Sequence, residues 1–159
     1  MTLRAPLQVV VFPFRLGPDG YEYAVFRRSD GQWWQGIAGG ADEEESAGEA
    51  AVRESEEEAG VPSTACFYPL STVDSVPVTH IAENKRSHWP GDVFVVPNHA
   101  FAVDCSGCEL RLSAEHTAFE WLPFDAATER LFLENNRVAL WELHQRLLSG
   151  RLPAPLRTP

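Results

Sequence analysis

Acidic residues are concentrated in one short part of the sequence, where nine carboxylates fall within the seventeen residues 42–58. If this segment is helical, with about 100° per residue, Glu54, Glu57 and Glu58 fall on one side of the helix. Like charges at these spacings destabilise a helix by a few tenths of a kcal/mol each. A divalent hard cation would reverse that repulsion, because such ions prefer carboxylate and phosphate oxygens. The spacing is therefore compatible with a metal site or with a solvated acidic face.

A helix that begins near Ser46 would position these acids. Ser46-x-x-Glu49 is a capping box, Gly60 occupies the position of a C-terminal capping glycine, and Pro62 prevents continuation. Small residues share the sector of the acids, namely Ala47, Ala50 and Ala51. The opposite side, predicted to pack against the protein, carries Val52, Ser55 and Ala59.

The spacing of these residues resembles the Nudix box, G-x5-E-x7-R-E-U-x-E-E-x-G-U. The matching residues are Gly39, Glu45, Arg53, Glu54, Glu57, Glu58, Gly60 and Val61. Ser55 departs from the pattern, which prefers an aliphatic residue there. The likeness extends to "FRR", to "WWQGIAGG" and to a late "EH" before "FEWLPF". On these residues the chain is identified as a member of the Nudix hydrolase family.

The resemblance implies hydrolysis of a nucleoside diphosphate linked to another group, with Mg²⁺, or Mn²⁺ in its place, as the cofactor. Glu54 and Glu58 would be the principal metal ligands, and Glu57 a ligand or a bridge through water. Arg53 would hold a box carboxylate by a charge-assisted hydrogen bond, and Glu45 would fix the junction between loop and helix.

A carboxylate outside the box is a second candidate for the catalytic machinery. The resemblance leaves the general base as a box glutamate or as an acid from a later loop, for which Glu115 is the candidate and a further metal ligand. The alternative for Glu115 is an exposed loop acid. The neighbouring His116 is predicted to pack rather than to contact phosphate.

Substrate contacts are predicted from basic, aromatic and glycine residues near the box. The predicted set is Arg27, Arg28, Trp34, Gly39, Gly40, Lys85 and Arg86. Alternation in a strand sends Arg27 and Arg28 to opposite sides, and the same holds for Trp33 and Trp34, so one tryptophan is expected in the core. Trp89 is a further candidate stacking surface.

The substrate is predicted from the family branch that the sequence resembles most. That bacterial branch acts on dihydroneopterin triphosphate and deoxynucleoside triphosphates and releases pyrophosphate. The alternatives are a hydrolase of dinucleoside polyphosphates or nucleotide sugars, and a nucleotide sensor without turnover. A generic acidic metal binder is set aside because residues 42–45 lack the EF-hand spacing.

Composition restricts the class of protein and its partners. The chain has 159 residues and a formal net charge of −10, which argues against nucleic acid or an anionic membrane as partner. No signal peptide or membrane span is predicted, and an odd number of cysteines fits a reducing cytoplasm. No role is assigned to Cys105 and Cys108, and a monomer or homodimer is expected.

Periodicity predicts an α+β fold, and the family implies an α/β/α sandwich. A hairpin is predicted at residues 7–16 and 21–29, and further strands at 35–38, 65–78, 91–103 and 116–124. A second helix is predicted at 133–148. It would cover the face of the mixed sheet opposite the one that the box helix covers. Its predicted apolar side comprises Val138, Trp141, Leu143, Leu147 and Leu148. Residues 1–150 are interpreted as one domain and 151–159 as a loose Pro-rich tail.

Overall fold

The fold begins with the predicted hairpin, seen here in a computed structural model that describes residues 2–31 and 33–157. Strand β1 (Arg4–Gly17) pairs antiparallel with β2 (Gly20–Arg28), and Phe14 lies opposite Tyr23. Gly20 has a φ of 125°, a conformation that disfavours side chains, so glycine suits the turn. The hairpin is confirmed.

The other regular elements follow in chain order. They are β3 (Trp34–Gln35), β4 (Ile37–Asp42), α1 (Ala47–Ala59), β5 (Phe67–Pro77), a 3₁₀ turn (Val78–His80), α2 (Glu83–Arg86), β6 (Val95–Asp104), β7 (His116–Pro123), α3 (Phe124–Arg130) and α4 (Glu134–Ser149). Helix α3 was not predicted. The 3₁₀ turn and α2 lie mostly in the segment between the strands predicted at 65–78 and 91–103.

The seven strands form one mixed sheet with the core order β3-β2-β1-β6-β5. Strand β4 also pairs with β1, and β7 pairs with β2. The β1–β6 pair is parallel, whereas the other strand pairs are antiparallel. The predicted mixed sheet is therefore confirmed. One edge of β1 pairs with β2 and with β4, the strand that leads into α1, and the other edge pairs with β6.

Two hydrophobic clusters lie on opposite faces of this sheet because side chains alternate along each strand. Val9 and Val11 of β1 belong to the cluster that packs against α1. Val10 and Phe12 belong to the cluster that packs against α4. The arrangement is the predicted α/β/α sandwich, with one long helix on each face.

Helix α1 has the predicted ends. The Ser46 hydroxyl accepts from the Glu49 amide, and the Glu49 carboxylate accepts from the Ser46 amide. Gly60 ends the helix at φ 68° in the left-handed region. These local signals determined both boundaries.

The apolar side predicted for α4 is wrong in part. Leu143 and Leu147 are buried, but Val138, Trp141 and Leu148 are largely exposed. The buried stripe instead comprises Asn136, Ala139, Leu140, Leu143 and Leu147. These positions recur at intervals of three and four residues, so the periodicity of packing outweighs the size of the individual side chains.

The described part of the tail is packed, contrary to the expectation of a loose end. The Leu156 amide donates to the Phe67 carbonyl at 2.7 Å. Leu156 packs against the cluster beside α1, and Leu152 packs against the cluster beside α4. Because Leu152 and Leu156 each reach one of the two clusters, they hold this segment in place despite its prolines.

Burial raises the pKa of the Cys105 thiol, which disfavours a reactive thiolate at that position.

In the part of the chain that the structure describes, no helix is long and apolar enough to cross a bilayer.

Candidate functional site

A cavity of about 370 Å³ opens where α1 meets the ends of several strands. Its lining includes six residues of the predicted site, from positions far apart in the sequence, and they are Arg28, Gly39, Glu54, Glu58, Lys85 and Glu115. The fold therefore brings acidic and basic side chains to one opening. The acids come from α1 and from the loop before β7, and the bases come from β2 and α2.

Glu54 and Glu58 lie on the buried side of α1, with 5% and 3% of their surface exposed. Burial raises the pKa of Glu54, and the adjacent Arg53 opposes that rise. Burial also raises the pKa of Glu58, to about 11, together with a hydrogen bond to Glu115 and the charge of Glu54. Two carboxyl groups out of water at this proximity cannot both be ionised without a compensating charge.

Glu115 reaches these carboxyl groups from the loop that precedes β7. Its side chain shares a hydrogen bond with Glu58, which is the largest cause of the lowered pKa of Glu115. The loop is held in place because the Ser113 amide donates to the Glu58 carbonyl and the Ser29 amide donates to the Glu115 carbonyl. The structure thus places the acid predicted from the later loop beside the box.

Arg53 binds the acids around it, as predicted. Its guanidinium donates to both oxygens of Glu45, at 2.7 and 2.9 Å, and to Glu54 at 3.1 Å. It also donates to the Gly40 carbonyl at 2.9 Å. Glu45 accepts from the Asp42 amide, so it joins β4 to the loop that enters α1. Arg53 lowers the pKa of Glu45 through these bonds and orients Glu54.

Glu57 does not join the other two box glutamates in the cavity. Its side chain is 59% exposed and accepts from Arg53 at 3.2 Å. Glu57 therefore lies outside the cavity that Glu54 and Glu58 line, and its role as a metal ligand or as a bridge through water stays a prediction. The third carboxyl group that meets Glu54 and Glu58 is that of Glu115.

The carboxyl groups fit a divalent cation without forming a complete site. Across residues 2–31 and 33–157, no group of three or more His, Cys, Asp or Glu side chains is arranged to hold a metal ion. However, Glu58 Oε2 is buried without a hydrogen-bond partner among the described residues. A Cβ on Gly39 would lie 2.3 Å from Glu54 Cδ, so the absence of a side chain leaves room for this carboxyl group. Hard oxygen donors, one of them unsatisfied, suit Mg²⁺ or Mn²⁺.

The predicted substrate-contacting residues separate into two groups. Arg28, Lys85 and Gly39 line the cavity. The other four residues do not line it. Arg27 is exposed, the Gly40 carbonyl accepts from Arg53, and Arg86 donates to the Ile81 carbonyl. The Arg130 guanidinium lies over the Trp34 ring, 4.8 Å from the ring centre. Trp34 is partly buried and packs against the cluster beside α4 instead of lining the cavity.

His116 and Trp89 occupy fixed positions. His116 is buried, its ring lies 5.4 Å from that of Phe26, and burial lowers its pKa. It occupies the packing position predicted for it, at the wall of the cavity. The Trp89 indole donates to the Arg4 carbonyl at 2.8 Å, which attaches the loop after α2 to β1.

Arg4 is a cavity residue that sequence reasoning missed. Its guanidinium donates to the Gly40 carbonyl and lies 3.6 Å from Glu54. Arg4 is at the beginning of β1, fifty residues from Glu54, and lies in no motif. Only the pairing of β1 with β4, which places Arg4 opposite Asp42, brings it to the carboxyl groups.

Comparisons with known proteins agree with this geometry. The family model for the NUDIX domain matches residues 7–143. A NUDIX-family structure from Listeria monocytogenes is 35% identical, covers 94% of this chain and 99% of its own, and has a TM-score of 0.84. The Escherichia coli dihydroneopterin triphosphate pyrophosphohydrolase has a similar fold at 20% identity, with a TM-score of 0.71 over 91% of this chain and 99% of its own.

A curated relative shows that the matched region also occurs within a longer protein. An octanoyltransferase of Myxococcus xanthus is 35% identical over 117 residues, which is 72% of this chain. The chain spans 30% of the length of that relative. Since the family model covers most of the chain, and Gly39, Glu54 and Glu58 of the box line one cavity, the chain belongs to the Nudix hydrolase family.

Proposed function

We propose that this protein is a Mg²⁺-dependent pyrophosphohydrolase that cleaves a phosphoanhydride bond of a nucleoside diphosphate linked to another group. Its substrate is a nucleoside or pterin triphosphate, and its products are a monophosphate and pyrophosphate. The observation that carries the proposal is the meeting of Glu54, Glu58 and Glu115 in a cavity that also contains Arg28 and Lys85.

The two kinds of charge in the cavity suit a polyphosphate only if a cation is present. Glu54 and Glu58 would repel phosphate oxygens, and a protein with a net charge of −10 has no excess of positive charge to offset them. Glu54 and Glu58 would hold a divalent ion, which would supply that positive charge and stabilise the negative charge that develops on the phosphate. Arg28 and Lys85 then contact the phosphate oxygens that face away from α1.

The carboxyl pair Glu58–Glu115 can receive the proton that water loses. In the hydrolysis an oxygen–phosphorus bond forms from water, the bridging phosphorus–oxygen bond breaks, and one proton must leave the attacking water. In the metal-free protein, burial and the hydrogen bond with Glu115 raise the pKa of Glu58, and the same bond lowers the pKa of Glu115, so Glu58 holds the proton of the pair and Glu115 is ionised. Glu115, the ionised member, is the assigned acceptor, and Arg53 keeps Glu54 in position beside the pair.

The decisive test removes one carboxylate from the cavity and one from the opposite surface of the same helix. Glu58→Gln should keep the fold and lower kcat by at least ~100-fold, as expected when a main electrostatic stabiliser is lost. The matched control is Glu56→Gln, because Glu56 is exposed on α1 and does not line the cavity. Near-normal turnover by a folded Glu58→Gln protein would refute the assignment of this site.

A substrate panel distinguishes the alternatives. Purified protein with Mg²⁺ or Mn²⁺ is incubated with nucleoside triphosphates, dihydroneopterin triphosphate, dinucleoside polyphosphates and nucleotide sugars, and the products are separated by ion-exchange chromatography. Pyrophosphate released from a triphosphate supports the proposed substrate class. Tight nucleotide binding without any product would instead identify a sensor.

A further inference from the structure

The segment between β5 and β6, here called the α2 segment, carries one of the cations of the carboxylate cavity. It comprises residues 78–94 and is closed at its base, where the Val78 amide donates to the Phe94 carbonyl at 3.0 Å. Lys85, on α2 within this segment, lines the cavity that also contains Glu115. The position of the α2 segment therefore sets where a positive charge meets the acidic cavity.

Hydrophobic burial holds the α2 segment only weakly. Ile81, which is 8% exposed, is the one buried residue among residues 78–94, all of which the structure describes. The Ile81 carbonyl accepts from Arg86 Nε at 3.0 Å, but this bond lies within the segment. A segment with so little buried apolar surface opens easily unless other bonds hold it to the rest of the protein.

Two neighbouring side chains attach the part of the segment after α2 to β1. His88 Nε2 and Trp89 Nε1 both lie 2.8 Å from the carbonyl oxygen of Arg4. A carbonyl oxygen has two lone pairs and only accepts hydrogen bonds, so both nitrogens carry a hydrogen and both donate. The two rings lie 6.2 Å apart at 66°, an edge-to-face arrangement that orients both donors. His88 and Trp89 thus form a paired attachment at one backbone oxygen.

The residue that accepts these bonds is itself fixed at the carboxylate cavity. The Arg4 guanidinium donates to the Gly40 carbonyl and lies 3.6 Å from Glu54. A Cβ on Gly40 would lie 2.7 Å from Arg4 Cδ, so the absence of a side chain at position 40 leaves room for the arginine. The backbone of Arg4 therefore holds the α2 segment, while its side chain contacts the box.

We propose that His88 and Trp89 are positioning residues that hold Lys85 at the phosphate-binding side of the cavity by binding the Arg4 carbonyl. The inference rests on the proposed function for the contact between Lys85 and phosphate. Neither His88 nor Trp89 lines the cavity, so both act through the α2 segment rather than on the substrate. Because Lys85 lies within four residues of both side chains, loss of their attachment would let its ammonium group move away from the phosphates.

The test measures the binding of a diphosphate without hydrolysis. Imidodiphosphate is a pyrophosphate analogue whose bridging nitrogen resists hydrolysis, and its dissociation constant is measured by calorimetry with Mg²⁺. Lys85→Ala should weaken binding by ~10-fold, because a charge-assisted hydrogen bond to phosphate is lost. Trp89→Phe keeps an aromatic ring but removes the N–H donor, and it should weaken binding by ~3- to 10-fold.

A double variant separates positioning from general damage to the protein. If Trp89 acts through Lys85, Trp89→Phe combined with Lys85→Ala should bind no more weakly than Lys85→Ala alone. His88→Gln keeps a side-chain N–H donor and should bind imidodiphosphate like the parent protein, whereas His88→Leu should weaken binding by ~3-fold or more. The matched control is Trp141→Phe, the same change at an exposed tryptophan of α4, which should leave the affinity unchanged.

Amide hydrogen exchange tests the attachment in the absence of any ligand. The Ile81 amide donates to the Val78 carbonyl and the Lys85 amide to the Ala82 carbonyl, so both report on opening of the α2 segment. Trp89→Phe should speed the exchange of these two amides by ~3- to 10-fold and leave the exchange of α1 unchanged, because only the local opening is made easier.

The outcomes separate this inference from the proposed function. Equal affinities of Trp89→Phe and Trp141→Phe, losses that add in the double variant, or unchanged amide exchange would each overturn the role of His88 and Trp89. Absence of imidodiphosphate binding by the parent protein would overturn it as well. Affinity that depends on Lys85 and Trp89, in a parent protein that hydrolyses no member of the substrate panel, would support the inference and refute the enzymatic proposal.

Discussion

Helix α1 turns two glutamates into the protein, whereas α4, on the other face of the sheet, leaves Val138, Trp141 and Leu148 on the outside. The buried apolar residues of α1 are alanines, which bury little surface. Helix α4 buries three leucines instead. Hydrophobic burial therefore holds α4 in place, but it cannot by itself hold α1.

Hydrogen bonds supply the stabilisation that hydrophobic burial does not give to α1. Both ends of α1 are capped, and Arg53 joins the helix to Glu45 and to the Gly40 carbonyl. At its N-terminus α4 has no side-chain cap. A helix that presents carboxylates to a ligand must have a polar inner side, so its position depends on directional bonds. Helix α1, which carries the site, is therefore held by hydrogen bonds, and α4, the supporting helix, is held by packing.

The largest effect on stability is expected from a change in the supporting helix. Leu143→Ala should lower the free energy of unfolding by ~2–5 kcal/mol, because Leu143 is fully buried against the sheet. Its kcat/KM at a temperature where the variant is folded should be unchanged. Urea titration and steady-state assays measure the two quantities. Trp141→Ser, on the exposed side, is the control, and its effect on stability should stay within ~0.5 kcal/mol. A loss of activity in folded Leu143→Ala protein would break the proposed division of roles.

An intermediate effect is expected when the polar bonds of α1 are weakened. Arg53→Lys cannot donate to both oxygens of Glu45 while also reaching Glu54, so stability should fall by ~1–3 kcal/mol. Because Glu54 loses its orientation, kcat/KM should also fall, by ~10- to 100-fold.

The matched control for this change lies on α4. Arg146 donates to Glu142, to the Ser71 hydroxyl and to the Arg151 carbonyl, so it too connects its helix to several partners. Arg146→Lys should reduce stability without reducing kcat/KM. Equal losses of activity from the two lysine variants would show that the arginine network of α1 has no special link to the site.

Per unit of pH, the smallest change in stability is expected from the titration of Glu58. The pKa of Glu58 is raised from 4.5 to about 11 in the folded protein, so between these values the folded state holds a proton that the unfolded state has released. Stability of metal-free protein should therefore fall as pH rises above about 4.5, with a slope of at most ~1.4 kcal/mol per pH unit from this group. Thermal unfolding in EDTA from pH 5 to pH 9 measures this slope.

Removing the titrating group sharpens that measurement. Glu58→Gln cannot ionise, so its stability should depend less on pH and should exceed that of the parent at pH 8 in the absence of metal. The exposed Glu56→Gln variant should follow the parent. Parallel curves for parent and Glu58→Gln would contradict the burial of a protonated Glu58.

Prediction from sequence succeeded where the signals are local. The ends of α1 follow from Ser46, Glu49 and Gly60, which act on backbone groups within four residues of themselves. The hairpin follows from alternation and a turn glycine. Prediction failed for the exposed side of α4 and for Trp34, because the side that packs depends on the layer beneath rather than on the size of the side chain.

The sequence by itself determined the box spacing, the helix that carries it and the presence of carboxylates on one side of that helix, since these depend on hydrogen bonds and periodicity within some twenty residues. Only the tertiary structure decided that Glu57 faces outward and that Arg4 and Glu115 approach the box. Strand pairing sets those approaches between residues distant in the chain. Such pairing depends on the geometry of the whole sheet, which no single segment encodes.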